Sequence, residues 1–322
     1  MKRVVVITTG GTIAMKRSPM VGGAVPSLKG EDFLILLPRE GVDLVFEEFS
    51  NLPSSHLTPV NGLELAHRVE SILLMPDMDG VVITHGTDTL EETAYLLDLT
   101  LKSSKPVVFT GSMRTATNVG YDGIVNLANA IRVASSAEAR DLGVLVVFDE
   151  EIHASSAVQK VHTQAQHAFL SPGSGPLGRI DGGRLWLTHH PAQRQHIPCA
   201  RLEEMVDLIR VVQGADDRLL QHSIDDGVAG IVIEGLGGGR VPPWWLPTIA
   251  AAIERRVAVV LASRCSAGSL GDEYGYVGAF HDLRRLGVLM AHNLTGSKAR
   301  IKLMVALGAA RHDGELRGWF PA

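Results

Sequence analysis

The chain has 322 residues, about twice the roughly 150 that a single domain commonly takes, so two domains are expected. Apolar residues make up 45% and charged residues 20%, which excludes a disordered chain, and an aromatic share of 5% leaves the core to aliphatic side chains. Thirty Lys and Arg against 35 Asp and Glu give a net charge of −5 with no basic run. Binding of nucleic acid or anionic membranes through bulk charge is thereby excluded.

In chain order, short aliphatic runs alternate with helix-like segments. The runs are Val4–Thr9, Gly80–Thr84, Pro106–Thr110, Gly143–Phe148, Gly230–Glu234, Val257–Ser263 and Gly287–His292. They lack period-2 alternation, as expected of parallel strands buried on both faces. Thr58 and Pro59 offer an N-cap and first-turn proline for a helix through Leu74. Further helices are predicted over 89–101, 118–135, 243–255 and 295–310. The pattern predicts an α/β fold of two Rossmann-like parallel-sheet domains, the N-terminal one larger.

A β-hairpin is predicted over Gly178–Leu187, turning at Asp181-Gly182-Gly183, near the end of the first domain. The polar, proline-marked stretch after it reads as a linker. The expected boundaries are 1–190 for the first domain, 191–208 for the linker and 209–322 for the second.

Cys199 and Cys265 belong to no CxxC motif, and the 13 histidines form no HExxH. Neither a disulfide framework nor a metal site is expected. The Val4–Ile7 run is shorter than the roughly 7–15 residues of a signal-peptide core, and the expected location is the cytoplasm. Gly173-Ser174-Gly175-Pro176-Leu177-Gly178 matches GxGxxG, but no predicted strand precedes it, so a dinucleotide site is not expected.

Two strand-end loops carry the chemistry. Thr8-Thr9-Gly10-Gly11-Thr12-Ile13-Ala14 follows the first strand, where open parallel sheets bind ligands. Its glycines let the backbone approach a ligand. Thr12 either caps a helix or presents a nucleophilic hydroxyl. The second loop is Thr84-His85-Gly86-Thr87-Asp88-Thr89-Leu90-Glu91-Glu92. Thr89 and Glu92 have capping-box spacing and Asp88 can also cap, but Thr87 has no such structural role. Lys160 stands alone in the otherwise uncharged stretch Ala154–Val161, where it reads either as a solvated group or as part of a site.

These two loops resemble the signatures of the bacterial-type L-asparaginase (asparaginase/glutaminase) family. The resemblance continues through Thr110-Gly111-Ser112-Met113-Arg114, Lys160, Gly175-Pro176-Leu177-Gly178, Gly235–Gly239 and Ser263-Arg264-Cys265, and so spans the chain. It implies hydrolysis of L-asparagine to L-aspartate and ammonia, without metal or cofactor, by a homo-oligomer, usually a tetramer. By motif, Thr12 would be the nucleophile, with Thr87, Asp88 and Lys160 as a second catalytic group. Gly11, Ser54, Ser55, Gly86 and Asp88 would hold the substrate: Ser54 its α-carboxylate, Asp88 its α-ammonium. Arg240, Glu273 and Tyr274 would be contributed by a partner subunit.

The chain departs from the family pattern in the loop Met15–Pro26, which lacks the tyrosine that family members place beside the nucleophile. Met20 or Ala24 stands there, and Tyr274 or Tyr276 of a second subunit could supply a phenol instead. Arg240 replaces a common asparagine, and Glu273 matches the expected acidic residue approximately. The alternatives are the same fold acting on glutamine, a D-amide, or a peptide-linked or tRNA-linked amide, and a catalytically weak amino-acid-binding protein.

Overall fold

A computed structural model describes residues 1–20, 22–27, 32–33, 37, 41–191, 194–271 and 273–321, and every structural statement concerns these. Val21 of the loop after the first motif, and Ala192 and Gln193 of the expected linker, lie outside them. The chain divides into two compact units, Met1–His196 and Ile197–Ala322.

The first unit contains β1 (Lys2–Gly10), β2 (Met15–Ser18), β3 (Gly23–Pro26), β4 (Val42–Leu52), α1 (Pro59–Leu73), β5 (Gly80–Thr84) and α2 (Leu90–Thr100). It continues with β6 (Val107–Thr110), α3 (Gly123–Ser135), β7 (Val144–Phe148), β8 (Glu151–Ala154), β9 (Gln159–Lys160), β10 (Phe169–Leu170), β11 (Gly178–Asp181) and β12 (Arg184–Leu187). Eight of these strands form one sheet in the order β12-β11-β8-β7-β6-β5-β1-β4.

The sheet is parallel from β4 to β7 and antiparallel through β8, β11 and β12. This corrects the expected parallel sheet to a mixed one, because the predicted hairpin extends the same sheet through β8. Val4, Val6, Val82, Val108, Leu145 and Val147 pack on one face with Leu127, Ala130 and Val133 of α3. Their neighbours Val5, Ile7, Val81, Ile83, Phe109 and Val146 are buried on the opposite face, where α1 and α2 pack. Burial on both faces explains the uninterrupted aliphatic runs.

The edge strand β4 escaped the sequence reading because Asp43, Glu47 and Glu48 interrupt its apolar residues and it is only partly buried. The cap of α1 is as predicted: Thr58 Oγ1 accepts from the Asn61 amide at 3.3 Å, and Asn61 Oδ1 accepts from the Thr58 amide at 3.1 Å. Helix α3 starts at Gly123, later than expected, because the Tyr121 amide closes a turn on the Asn118 carbonyl at 3.2 Å. A short strand, β10, does precede Gly173. The strand β11 rather than a helix follows Gly178, so this glycine run lacks the dinucleotide context.

The second unit contains β13 (Val206–Arg210), α4 (Arg218–Asp225), β14 (Gly230–Gly235), α5 (Leu246–Glu254), β15 (Ala258–Ser263), α6 (Phe280–Leu286), β16 (Leu289–Met290), α7 (Gly296–Ala309) and α8 (Asp313–Trp319). Its four-stranded sheet is parallel throughout, in the order β13-β14-β15-β16. Ile231, Ile233, Val259 and Leu261 build its core with Trp245, Ile249 and Leu283. Strand β13 begins inside the expected linker 191–208, so residues 206–208 belong to the sheet, and Ile197 is fully buried. Among the described residues no helix is long and apolar enough to cross a membrane.

Gly80 starts β5 where the sheet meets α3. A β-carbon there would lie 2.2 Å from the Ala134 carbonyl oxygen, a backbone atom without freedom to move aside. Gly80→Ala should therefore cost about 2 kcal/mol by overpacking. The expected fall in Tm is roughly 4–8 °C, read by a thermal melt.

Candidate active site

Strands β4, β1, β5 and β6 are neighbours and parallel, so their carboxyl ends lie side by side. Each hands the chain to a loop that the sequence singled out. β4 leads to Ser54, β1 to Gly11 and Thr12, β5 to His85–Thr89, and β6 to Gly111. Open sheets place ligands along such an edge.

Glycines hold these loops together at contact distance. Gly11 has a φ of 82°, and a β-carbon on it would lie 2.5 Å from the Gly86 nitrogen and 2.6 Å from the Gly86 Cα. A β-carbon on Gly86 would in turn lie 2.7 Å from Ser54 Oγ. One on Gly111 would lie 2.6 Å from the His85 carbonyl oxygen. The backbones therefore meet where a side chain has no room. Thr12 and Thr87, each following one of the touching glycines, stand at one place although 75 positions apart in the sequence.

Thr12 opens a single 3₁₀ turn, Thr12–Ala14, whose N-cap is Gly11. It does not cap a helix, and its side chain is half-buried. Thr87 is buried. Lys160 Nζ donates to Thr87 Oγ1 at 2.9 Å and to Asp88 Oδ1 at 2.7 Å. The Lys160 side chain is 15% exposed and that of Asp88 70%. Lys160 is thus a held group rather than a solvated one, while the Asp88 carboxylate remains accessible to a cationic ligand.

An ammonium bonded to a hydroxyl oxygen leaves the hydroxyl proton pointing elsewhere and stabilises the oxyanion formed when that proton leaves. The Lys160–Thr87–Asp88 arrangement can therefore present an activated hydroxyl beside a carboxylate. Among the described residues no group of His, Cys, Asp or Glu is arranged to hold a metal ion.

Several supporting groups were not found from sequence. The Lys160 amide donates to Glu91 Oε2 at 2.5 Å, which ties the short strand β9 to α2. Phe169, paired with Lys160 across β9 and β10, anchors the strand by packing on Phe148 at 4.7 Å between ring centroids. The Thr89 hydroxyl donates to the Ser54 carbonyl at 3.0 Å. Thr89 occupies the N-cap position of α2 without a side-chain cap bond, so the expected capping box is corrected to a strap between two loops. Its spacing matched the capping pattern, but the Ser54 partner lies 35 residues away, beyond any local signal.

Ser54 is buried and its neighbour Ser55 exposed. Met20 is exposed at 97%, and Ala24 pairs with Arg17 in the β2–β3 hairpin. Arg240, Glu273 and Tyr274 belong to the second unit. There the Arg240 guanidinium lies 4.6 Å from the Tyr274 ring centroid, Tyr274 stacks on Tyr276 at 5.4 Å, and Glu273 is exposed.

His85 is fully buried, and its Nδ1–H donates to the Gly86 carbonyl at 2.8 Å. That bond fixes the tautomer and leaves Nε2 buried without a hydrogen-bond partner. Burial pushes the imidazole down to about 4, against the smaller opposing effect of the Gly86 bond. The ring is neutral at pH 7 and pins the loop.

Because this folded pKa lies below the unfolded value, the contribution of His85 to stability is complete above about pH 6.5 and is lost as pH falls toward 4. Between pH 7 and 5 the loss should be about 2 kcal/mol. Urea unfolding of the wild type should show this fall, and His85→Gln should reduce it.

Comparison with known proteins agrees with this architecture. The model described as "Asparaginase, N-terminal" matches residues 3–193, and "Glutaminase/Asparaginase C-terminal domain" matches residues 205–320. A probable L-asparaginase from Deinococcus radiodurans is 40% identical over 97% of this chain and 95% of its own length. An L-asparaginase from Bacillus licheniformis is 36% identical over 96% of both. The crystal structure of a probable cytoplasmic L-asparaginase from Campylobacter jejuni superposes with a TM-score of 0.87 at 30% identity, covering 99% of each chain. With both family models matched in order along nearly its whole length, the chain belongs to the asparaginase family.

Proposed function

We propose that this protein hydrolyses the side-chain amide of L-asparagine to L-aspartate and ammonia, with Thr12 as nucleophile. The observation that carries the reading is the Lys160–Thr87–Asp88 cluster, in which Lys160 Nζ bonds the buried Thr87 hydroxyl at 2.9 Å and the exposed Asp88 carboxylate at 2.7 Å. Its Thr87 and Asp88 lie on the loop whose Gly86 touches Gly11.

In this mechanism Thr12 Oγ1 attacks the amide carbon, and its hydroxyl proton is passed on to the amide nitrogen that leaves. Backbone amides of the Gly11–Thr12 and Gly86–Thr87 segments receive the developing oxyanion. The C–N bond breaks with protonation of the nitrogen, releasing ammonia and leaving an acyl ester on Thr12. Water, deprotonated with the help of Thr87, then attacks the ester, and aspartate leaves as Thr12 regains its proton. The Lys160 ammonium supports this by stabilising negative charge on Thr87 Oγ1.

Asp88 pairs with the substrate ammonium, Ser54 meets the α-carboxylate, and Ser55 borders the same end. Asp88 selects a free amino acid because its exposed carboxylate offers a charge-assisted bond to an α-ammonium. No cofactor takes part.

The working unit we propose is a cytoplasmic homo-oligomer, a tetramer by family analogy. A second subunit brings Arg240, Glu273 and Tyr274 to the site. The run Glu273–Val277 is exposed in the isolated chain and carries two tyrosines, which suits a surface given to another subunit.

Purified protein should release ammonia from L-asparagine faster than from D-asparagine, L-glutamine or dipeptide amides. Thr12→Ala and Thr87→Ala should each lower kcat by roughly a thousandfold or more, since a nucleophile and its activating group act as a unit. Both variants should still bind aspartate in calorimetry. Wild-type turnover by both would overturn the mechanism, and binding without turnover in the wild type would favour an amino-acid-binding protein.

A further inference from the structure

The turn that presents Thr12 is short, and three of its carbonyls are engaged by backbone amides. Gly11 O accepts from the Ala14 amide at 3.1 Å, and Thr12 O from the Met15 amide at the end of the 3₁₀ turn. Ala14 O accepts from the Ser27 amide at 2.8 Å. The remaining carbonyl, that of Ile13, is met by a side chain 108 positions away: Tyr121 Oη donates to it at 2.6 Å. Ile13 is fully buried, so its carbonyl would lack a solvent partner without this bond.

The phenol is held in place from several sides. The Tyr121 ring packs against the core of the first unit and lies across the Cα of Gly123. A β-carbon on Gly123 would fall 2.4 Å from Tyr121 Cζ and Oη. The adjacent Asp122 carboxylate accepts from the Met113 and Arg114 amides at 2.9 and 3.0 Å, fixing the loop that carries the tyrosine. That same segment runs beside the strand following the nucleophile, where the Ala116 amide donates to Met15 O at 3.0 Å.

We propose that Tyr121 is a positioning residue for catalysis, its hydroxyl locking the Gly11–Ala14 turn through the Ile13 carbonyl so that Thr12 Oγ is held in attacking geometry. The inference rests on Thr12 being the nucleophile. Burial, and then the nearby Asp122 charge, raise the phenol above its ordinary value, so it keeps its proton and remains a donor at physiological pH. A displacement of about 1 Å at a reacting group costs on the order of a hundredfold in rate. Loss of a single tether should cost less, roughly tenfold in kcat.

The test is Tyr121→Phe in the full-length protein, which keeps the ring and removes only the donor. Steady-state ammonia release should show kcat down about tenfold, with KM for L-asparagine and the calorimetric aspartate Kd within about twofold of wild type. Gly123→Ala, which displaces the ring while retaining its hydroxyl, should shift kcat in the same direction. Adding Tyr121→Phe to Thr12→Ala should leave the residual rate unchanged, because the tether then has no nucleophile to hold.

Unchanged kcat in Tyr121→Phe, or a loss of aspartate affinity as large as the loss of kcat in both variants, would overturn the proposal. Wild-type turnover by Thr12→Ala would instead remove the underlying nucleophile reading, whatever Tyr121→Phe does.

Discussion

The site depends on one steric constraint: four strand-end loops approach one another so closely that the glycines at their contacts have no room for a side chain. Gly11 lies against Gly86, Gly86 against Ser54, and Gly111 against the His85 carbonyl. Parallel strands stand about 4.8 Å apart, so loops leaving adjacent strand ends converge only if their backbones fold directly onto one another. Thr12 and Thr87 are consequences of that packing, since each is the first side chain beyond a glycine contact.

Around this contact the polar groups act as ties between elements distant in sequence. Thr89 joins the β5 loop to Ser54, and Glu91 joins α2 to the Lys160 strand. Asp122 and Asn126 hold the β6 loop, the latter through a 3.0 Å bond to the Gly111 carbonyl. His85 is the buried counterpart of these ties. Its imidazole bonds the backbone of its own loop and accepts neutrality as the cost of being dry. The resulting frame orients Lys160, whose charge is tolerated in a nearly closed place because it meets both a hydroxyl and a carboxylate.

The two units divide the work of folding in the same way, each with a sheet buried on both faces by aliphatic residues. Their difference lies at the edges. The larger sheet acquires antiparallel strands beyond β7, and the hairpin β11–β12 closes that side. The opposite edge is β4, whose carboxyl end delivers Ser54 to the site.

Much of the molecule was legible in its sequence. Continuous aliphatic runs announced β1, β5, β6, β7, β14 and β15, because a strand buried on both faces has no polar side to show. Thr58 and Pro59 marked the start of α1 because capping is decided within four residues. The two glycine-containing motifs indicated both threonine loops, and their resemblance to asparaginases named the family.

Tertiary structure decided what local patterns cannot encode. Edge strands β4 and β13 are only partly buried, so their sequences carry a mixed signal. Thr89 matched a cap but spends its hydroxyl on Ser54, 35 residues away. Lys160 carries no local sign of its partners: only the family resemblance grouped it with Thr87 and Asp88, and the fold brings both to its ammonium. The role of Tyr121 at the Ile13 carbonyl likewise depends on a contact across 108 positions. Composition and periodicity determine which residues are buried. Only the packed chain determines which polar groups meet, because a hydrogen bond between distant segments leaves no periodic trace in either.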